Sequence, residues 1–470
     1  MFDKDIYTER RNKLKQRMQS GLLLFLGNHE SPMNYPDNTY HFRQDSSFLY
    51  YFGLDYPGLA AIVDVDEDRA IVFGNDLTVD EIVWMGTQPT LKERALKAGV
   101  TDTRPLKELD TMLATARDAG RAVHYLPPYR HRNILELHRL LDKSPADIQT
   151  GSSVEFVRAV VDQRNTKGPE EIEELEKAVN TTVDMHLAAM RMIKPGITEA
   201  QVAAAVTEVA LAADGNVSFP VIATINGQTL HNHYHGNTLK SGDLFLLDAG
   251  AETTMRYAGD MSSTIPVDPT FTERQKEIYT VAYDAHMAAV NLLQPGRKFR
   301  EIHLAACRVI AQGMKDLGFM TGDVDEAVAA GAHALFFPCG LGHMMGLDVH
   351  DMEDLGEVYV GYDGQPKSTE FGLKSLRLAR ALEPGFVLTI EPGIYFIPEL
   401  IDLWKQEGRL SQFINYDKVE TYKDFGGIRN EEDFVITENG YRLLGKPLPK
   451  SISEVETEKT RTLVHHPEEE

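Results

Sequence analysis

The sequence predicts an α+β protein of two unequal domains, a smaller mixed α/β N-terminal domain followed by a larger one made of two similar α/β halves. Three observations carry this: short strand-like runs early in the chain, a break in pattern near residue 165, and a helix–strand pattern beyond it that occurs twice.

Residues 42–74 are aromatic and β-branched. Within them 59–64 and 69–73 read as strands joined by the acidic turn 65–68, which marks a small mixed unit. The pattern breaks at 164–168. Pro169 then opens a helix with Ile172, Leu175, Ala178 and Val179 on one face; proline is tolerated there because an early helical N–H has no partner to lose. A boundary near 150–168 follows, dividing the chain into 1–160 and 161–450. The polar residues 451–470, ending in Pro-Glu-Glu-Glu, are expected to be a frayed tail.

The second part echoes itself. Lys194-Pro195-Gly196 precedes the apolar-periodic 200–212, and Gln294-Pro295-Gly296 precedes the similar 302–310. Farther on, residues 240–248 resemble 383–391, each with a glycine (Gly242, Gly385) six residues before a carboxylate that ends an apolar strand. Two echoes together point to related halves packed face to face.

Those carboxylates, Asp248 and Glu391, sit where a buried strand should be apolar, and an ionised acid there is costly unless paired or metal-bound. Asp260 and Glu431 follow the two strands. Any one of them reads as a turn or cap; four acids in corresponding places do not. The imidazole that completes the set lies in the glycine-rich run 340–351, where His343 is flanked closely by Gly342 and Gly346 and His350 follows seven residues on. One histidine and four carboxylates form a hard donor set suited to Mn²⁺, Fe²⁺ or Co²⁺, and four negative charges offset two divalent cations. Two such ions would share a water as a bridging hydroxide while one polarises a carbonyl, so the expected reaction is hydrolysis. No nucleophile elbow, P-loop or dinucleotide fingerprint supports another chemistry.

Composition narrows the partners. The 470 residues carry 48 Lys+Arg against 71 Asp+Glu, a net charge of −23, which disfavours nucleic acid and anionic membranes. Cys307 and Cys339 are too few for a disulfide framework, and with no signal peptide or apolar span in the sequence the expected location is the cytoplasm. Cys307 reads as packing; Cys339 is left open beside His343.

The set Leu247-Asp248-Ala249-Gly250, Gly342-His343, Thr389-Ile390-Glu391-Pro392-Gly393 and Ile428 to Glu431 resembles the pita-bread metallopeptidases, which include methionine aminopeptidase, aminopeptidase P and prolidase. The resemblance covers nearly the whole chain. It implies a pita-bread catalytic domain in which Asp248 binds one ion, Asp260 and Glu431 bridge both, and His343 with Glu391 completes the second. The implied cofactor is a pair of divalent ions, Mn²⁺ first, with Co²⁺, Fe²⁺ or Zn²⁺ acceptable. Active-site histidines map to His350 and to His231 or its neighbour His233, for proton donation and oxyanion hydrogen bonding, with Glu391 as base.

Residues 42–53 resemble the accessory domain of aminopeptidase P and prolidase, which implies proline in the second position of the substrate. Arg377, in 375–380, resembles a prolidase arginine that holds a dipeptide carboxylate; otherwise it is a surface cation. Arg429 is implied to face substrate. Trp84, in 83–86, resembles a tryptophan that reaches a partner's site in such dimers; otherwise it is a core aromatic. The expected activity is release of the N-terminal residue from Xaa-Pro peptides by a homodimer or higher oligomer, with prolidase as the alternative, and a non-catalytic peptide-binding homologue or a metal-free creatinase-like hydrolase behind it. Three departures stand out. Asp248 and Asp260 lie twelve residues apart, one more than usual, which implies a bulge between the ligand strands. Cys339 stands where many relatives have histidine, and Asn430 replaces an aliphatic residue.

Overall fold

The computed structural model describes residues 1–461. Their contacts form two units, Met1–Arg164 with Met352–Tyr359, and Asn165–Asp351 with the chain from Val360 onward. The first ends one residue before the C-terminus of the helix Val154–Asn165. That the short segment Met352–Tyr359 belongs with the first unit is invisible to a reading along the chain.

The first unit is built on a five-stranded mixed sheet. Its order is Asp102–Arg104, Arg69–Phe73, Ala60–Asp64, Leu22–Leu26, Val123–Tyr125, antiparallel through the middle and parallel at both edges. The two strands expected at 59–64 and 69–73 form a hairpin, with Asp68 at φ +49° in its turn. Leu22, Leu24, Ile62, Ile71 and Phe73 pack with Leu109, Leu113, Ile134 and Leu137 of the covering helices. This is the usual solution for a sheet face that must leave water.

The second unit carries the internal repeat. The helix Pro169–Met192 buries Leu175, Ala178 and Val179 and packs against Glu199–Ala212; Glu273–Val290 packs likewise against Phe299–Asp316. Each Pro-Gly turn docks the same way. The Gly196 N–H donates to the Leu239 carbonyl (2.9 Å) and the Leu239 N–H returns to Ile197 (2.8 Å); Gly296 and Leu382 do this with Arg297 at 2.8 and 2.9 Å. Gly242 and Gly385, at φ +92° and +88°, then turn the chain into the strands Leu244–Ala249 and Val387–Ile390. Only glycine takes that backbone conformation freely, which is why the same residue recurs at the same place.

One expectation fails at the C-terminus. Residues 452–460 are not a frayed tail but the helix Ile452–Thr460, opened by a Ser451/Glu454 capping box. It buries Val455, packs on Pro169–Met192, and holds Arg191 through Glu458 at 2.6 Å. The apolar contact is a single residue, too sparse a signal to show in a polar sequence. The rest of that stretch, 462–470, lies outside the described residues. No helix among the described residues is long and apolar enough to cross a membrane.

Candidate functional site

Two β-ladders bring the acids together. In the first half Leu244–Ala249 pairs antiparallel with Met261–Pro266, with Asp248 opposite Ser262 and Ala249 opposite Met261. The same register continues outward through the Glu252–Ala258 bridge. No bulge separates the ligand strands, contrary to expectation. The hairpin closes instead at its tip, where Thr253 donates to Tyr257 (3.0 Å), Arg256 donates to Thr253 (2.9 Å), and Arg256 adopts φ +68°. A three-residue loop ending in a left-handed residue absorbs the extra length. Because opposite residues share a face and the face repeats every second residue, Asp248, Ser262 and Asp260 lie on one side.

The second half does this differently. Val387–Ile390 pairs with Glu432–Thr437 and Gly393–Tyr395 pairs with Gly427–Arg429, all in one register. Glu391 and Glu431 occupy the gap between those ladders, directly opposite one another. Like charges in that position repel. The repeat therefore matches Asp248 with Glu391, but carries Ser262 onto Glu431 and Asp260 onto Arg429. The supposed one-to-one correspondence of four acids is replaced by an offset of two residues along one strand.

That offset lets the halves interlock. The Glu431 N–H donates to the Ser262 carbonyl (3.0 Å), the Ser262 hydroxyl donates to Glu431 Oε2 (2.8 Å), and the Thr264 hydroxyl accepts from the Arg429 N–H (3.0 Å). Arg429, expected to face substrate, lines the cavity but is buried and bonds to Asp248, to Ser262 Oγ (2.8 Å) and to Tyr395 Oη (3.1 Å). It holds Asp248 through Nη2 alone, while Nε and Nη1 anchor the guanidinium on Ser262 and Tyr395. Ser262 and Thr389 were not singled out in the sequence, although their spacing of two residues from Asp260 and Glu391 puts them on the same faces.

His343 enters from a glycine-rich loop beside the second strand. Its N–H donates to Thr389 Oγ1 (3.2 Å), and its carbonyl accepts from the Thr389 N–H (3.1 Å). Nδ1 lies 3.0 Å from the Met344 carbonyl and therefore carries the proton, which leaves Nε2 as a lone pair 3.4 Å from Asp260 Oδ2 and 3.5 Å from Glu391 Oε1. Gly342 permits this approach, since a Cβ there would lie 2.1 Å from the Thr389 carbonyl oxygen. Gly342→Ala is expected to cost about 1–3 kcal/mol of stability by overpacking. An unchanged urea midpoint and slope would show that the loop has room to spare.

One cavity collects these groups. Asp248, Asp260, His343, Glu391 and Glu431 line it with His231, His233, His350, Arg377, Arg429 and Cys339. Phe219, Pro220, Ile222, Leu230 and Val349 supply an apolar wall. The His350 ring stands nearly perpendicular to that of His343 at 4.4 Å. Both candidates on the 229–235 loop reach the cavity. His231 has its pKa lowered by burial and by the Arg429 charge. Cys339 contacts Tyr395 Oη at 4.0 Å, and burial pushes its thiol up to about 12, so it is a neutral wall residue. Trp84 is neither a core aromatic nor part of this cavity. It is 86% exposed on the helix Val79–Met85 of the first unit, a short helix that buries none of its own residues.

The donor set fits divalent cations. Burial first, and the Asp248 charge second, push Asp260 up to about 7; burial pushes Glu391 to about 7 against the pull of His343 and Arg429, and lifts Glu431 well above the carboxylate range. Asp260 Oδ1 and Glu431 Oε1 are buried without a hydrogen-bond partner, and Asp260, His343 and Glu431 each offer an atom within 4.8 Å of the others. Orphaned carboxylate oxygens around an imidazole lone pair are what a hard or borderline cation neutralises.

Comparison with known proteins gives the family. Residues 173–438 match metallopeptidase family M24, and residues 7–124 match the aminopeptidase P N-terminal domain. The chain is 30% identical to an Escherichia coli Xaa-Pro aminopeptidase over 96% of each chain. It is 28% identical to a human Xaa-Pro dipeptidase, over 93% of this chain and 89% of that one. The structure of the Pseudomonas aeruginosa aminopeptidase PepP superposes with a TM-score of 0.80 at 26% identity, covering 97% of this chain and 98% of that one.

Proposed function

This chain belongs to metallopeptidase family M24 and carries an aminopeptidase P N-terminal domain, and from that premise we propose that it releases the N-terminal residue from peptides with proline second, as an Xaa-Pro aminopeptidase. One observation supports this above the others: five oxygen and imidazole donors share a cavity with three further histidines and an apolar wall. Asp248, Asp260, His343, Glu391 and Glu431 would hold two divalent cations, Mn²⁺ before Co²⁺, Fe²⁺ or Zn²⁺. When bound, such cations acidify water and polarise the scissile carbonyl.

The protein's own groups do the rest. Glu391 takes the proton of the attacking water and passes it to the prolyl nitrogen. That nitrogen has no N–H of its own and leaves only when protonated. His350 and His231 donate hydrogen bonds to the oxygen that gains charge, His231 being preferred to His233 because it senses the charges of Asp248 and Arg429. The pyrrolidine ring suits the wall of Phe219, Ile222 and Val349. Residues 1–160 are read as the accessory domain. The apolar side chains Val79, Val83, Trp84 and Met85, all exposed on one short helix, favour a homodimer or higher assembly, and two unpaired cysteines favour the cytoplasm.

Arg377 in the cavity wall favours a second reading, Xaa-Pro dipeptidase, because a cation there would hold a prolyl carboxylate. The two part on substrate length. An Xaa-Pro-Yaa tripeptide is expected to be cleaved with kcat/KM at least about tenfold above the matching Xaa-Pro dipeptide, a difference of about 1.4 kcal/mol, and Arg377→Ala should leave tripeptide turnover within a few-fold. If only the dipeptide is cleaved, and Arg377→Ala ends that too, the dipeptidase reading replaces the first.

A further inference from the structure

A second group of ligating side chains lies outside that cavity. His303 and Cys307 are four residues apart on the helix Phe299–Asp316 and so share a face, and His333 meets them from the short helix Ala332–Leu335. All three are buried, at 0%, 0% and 2% exposure. His303 Nε2 lies 3.4 Å from Cys307 Sγ, and one atom from each residue falls within 4.8 Å of the others. No hydrogen bond of regular geometry reaches either nitrogen of His333, whose ring senses only the Val328 backbone, or His303 Nδ1. Buried imidazoles without well-formed partners are expensive, and an apolar residue of the same volume would serve a packing role better.

We infer that His303, Cys307 and His333 form a separate, structural site for a soft cation of the Zn²⁺ or Cu⁺ class. A thiolate with two imidazoles is a soft donor set, the opposite of the oxygen-rich set in the cavity. The observed S···N separation is close to the roughly 3.5 Å edge expected for a thiolate and an imidazole on one tetrahedral zinc. Burial keeps both imidazoles neutral, the form that ligates, and keeps the Cys307 thiol protonated, so binding would release the thiol proton to solvent. A cation here would tie the helix Phe299–Asp316 to the chain that leads, ten residues after His333, to His343. The inference is independent of the substrate reading.

Cobalt tests it, because thiolate coordination to Co²⁺ gives a charge-transfer absorption that oxygen and imidazole ligands do not. Metal-free full-length protein saturated with Mn²⁺ and then titrated with Co²⁺ is expected to show that band with one further equivalent per chain. Cys339→Ser keeps it. Cys307→Ser removes it, and His333→Gln, which spares the thiol should the serine variant not fold, weakens Co²⁺ binding there at least about 100-fold. A wild-type titration without the band overturns the inference, as does a band that survives Cys307→Ser and disappears with Cys339→Ser. Peptidase activity is not the readout, so loss of the substrate reading and loss of this site are told apart.

Discussion

Asp260→Asn is expected to lower kcat/KM on an Xaa-Pro-Yaa peptide by at least about 10³-fold, on the order of 4 kcal/mol of transition-state stabilisation. The substitution keeps the shape of the side chain and the Asp260 N–H bond to Asp433 (3.2 Å), which belongs to the backbone. What changes is charge. Asp260 faces His343 Nε2 at 3.4 Å and stands near Asp248, Glu391 and Glu431, so an amide removes one of four negative charges that would balance two divalent cations. Stoichiometry should fall with activity when metal is measured on the purified variant. A variant that retains two equivalents of metal and wild-type turnover would remove Asp260 from the site.

The same substitution should stabilise the metal-free protein at high pH. Asp260 has an ordinary value of 3.8 and is pushed to about 7 by burial and by Asp248. A group whose folded-state pKa is raised contributes fully below its unfolded value, and that contribution is lost as pH rises through the folded value. For Asp260 the loss runs from about pH 4 to about pH 7 and is flat above. Three pH units correspond to roughly 4 kcal/mol. Buried histidines such as His186, lowered to about 4 by desolvation, act in the opposite direction, so the wild-type melting curve alone does not isolate the acid. The difference between Asp260→Asn and wild type does. With chelator present the variant should melt close to wild type at pH 4 and well above it at pH 8; with divalent cation restored the order should reverse at pH 8. A difference that is independent of pH would mean that Asp260 is not held neutral in the metal-free protein.

These opposed effects have one cause. Glu391 and Glu431 face each other across a gap in a β-ladder, and Asp260 adds to them. The acids strain the metal-free fold and suit it to cations, a trade of stability for function.

Much of this is legible along the chain. The Pro-Gly turns at 196 and 296, the glycines at 242 and 385, and the acids that end apolar strands are local signals, and local rules read them: a left-handed turn wants glycine, and a strand that ends on a carboxylate needs a reason. Even the twelve-residue spacing of Asp248 and Asp260 contains its answer, since an even interval across a three-residue loop leaves both on one face. The sequence by itself determined the two-part division, the duplicated helix–strand pattern and the candidate donors. Tertiary structure alone decided which donors meet. The offset that sets Arg429 against Asp248, the docking of Ser262 on Glu431, the exposure of Trp84 and the packing of Val455 each depend on contacts between segments far apart in the chain. Periodicity reports only which face of an element leaves water; it does not say which other element that face will find.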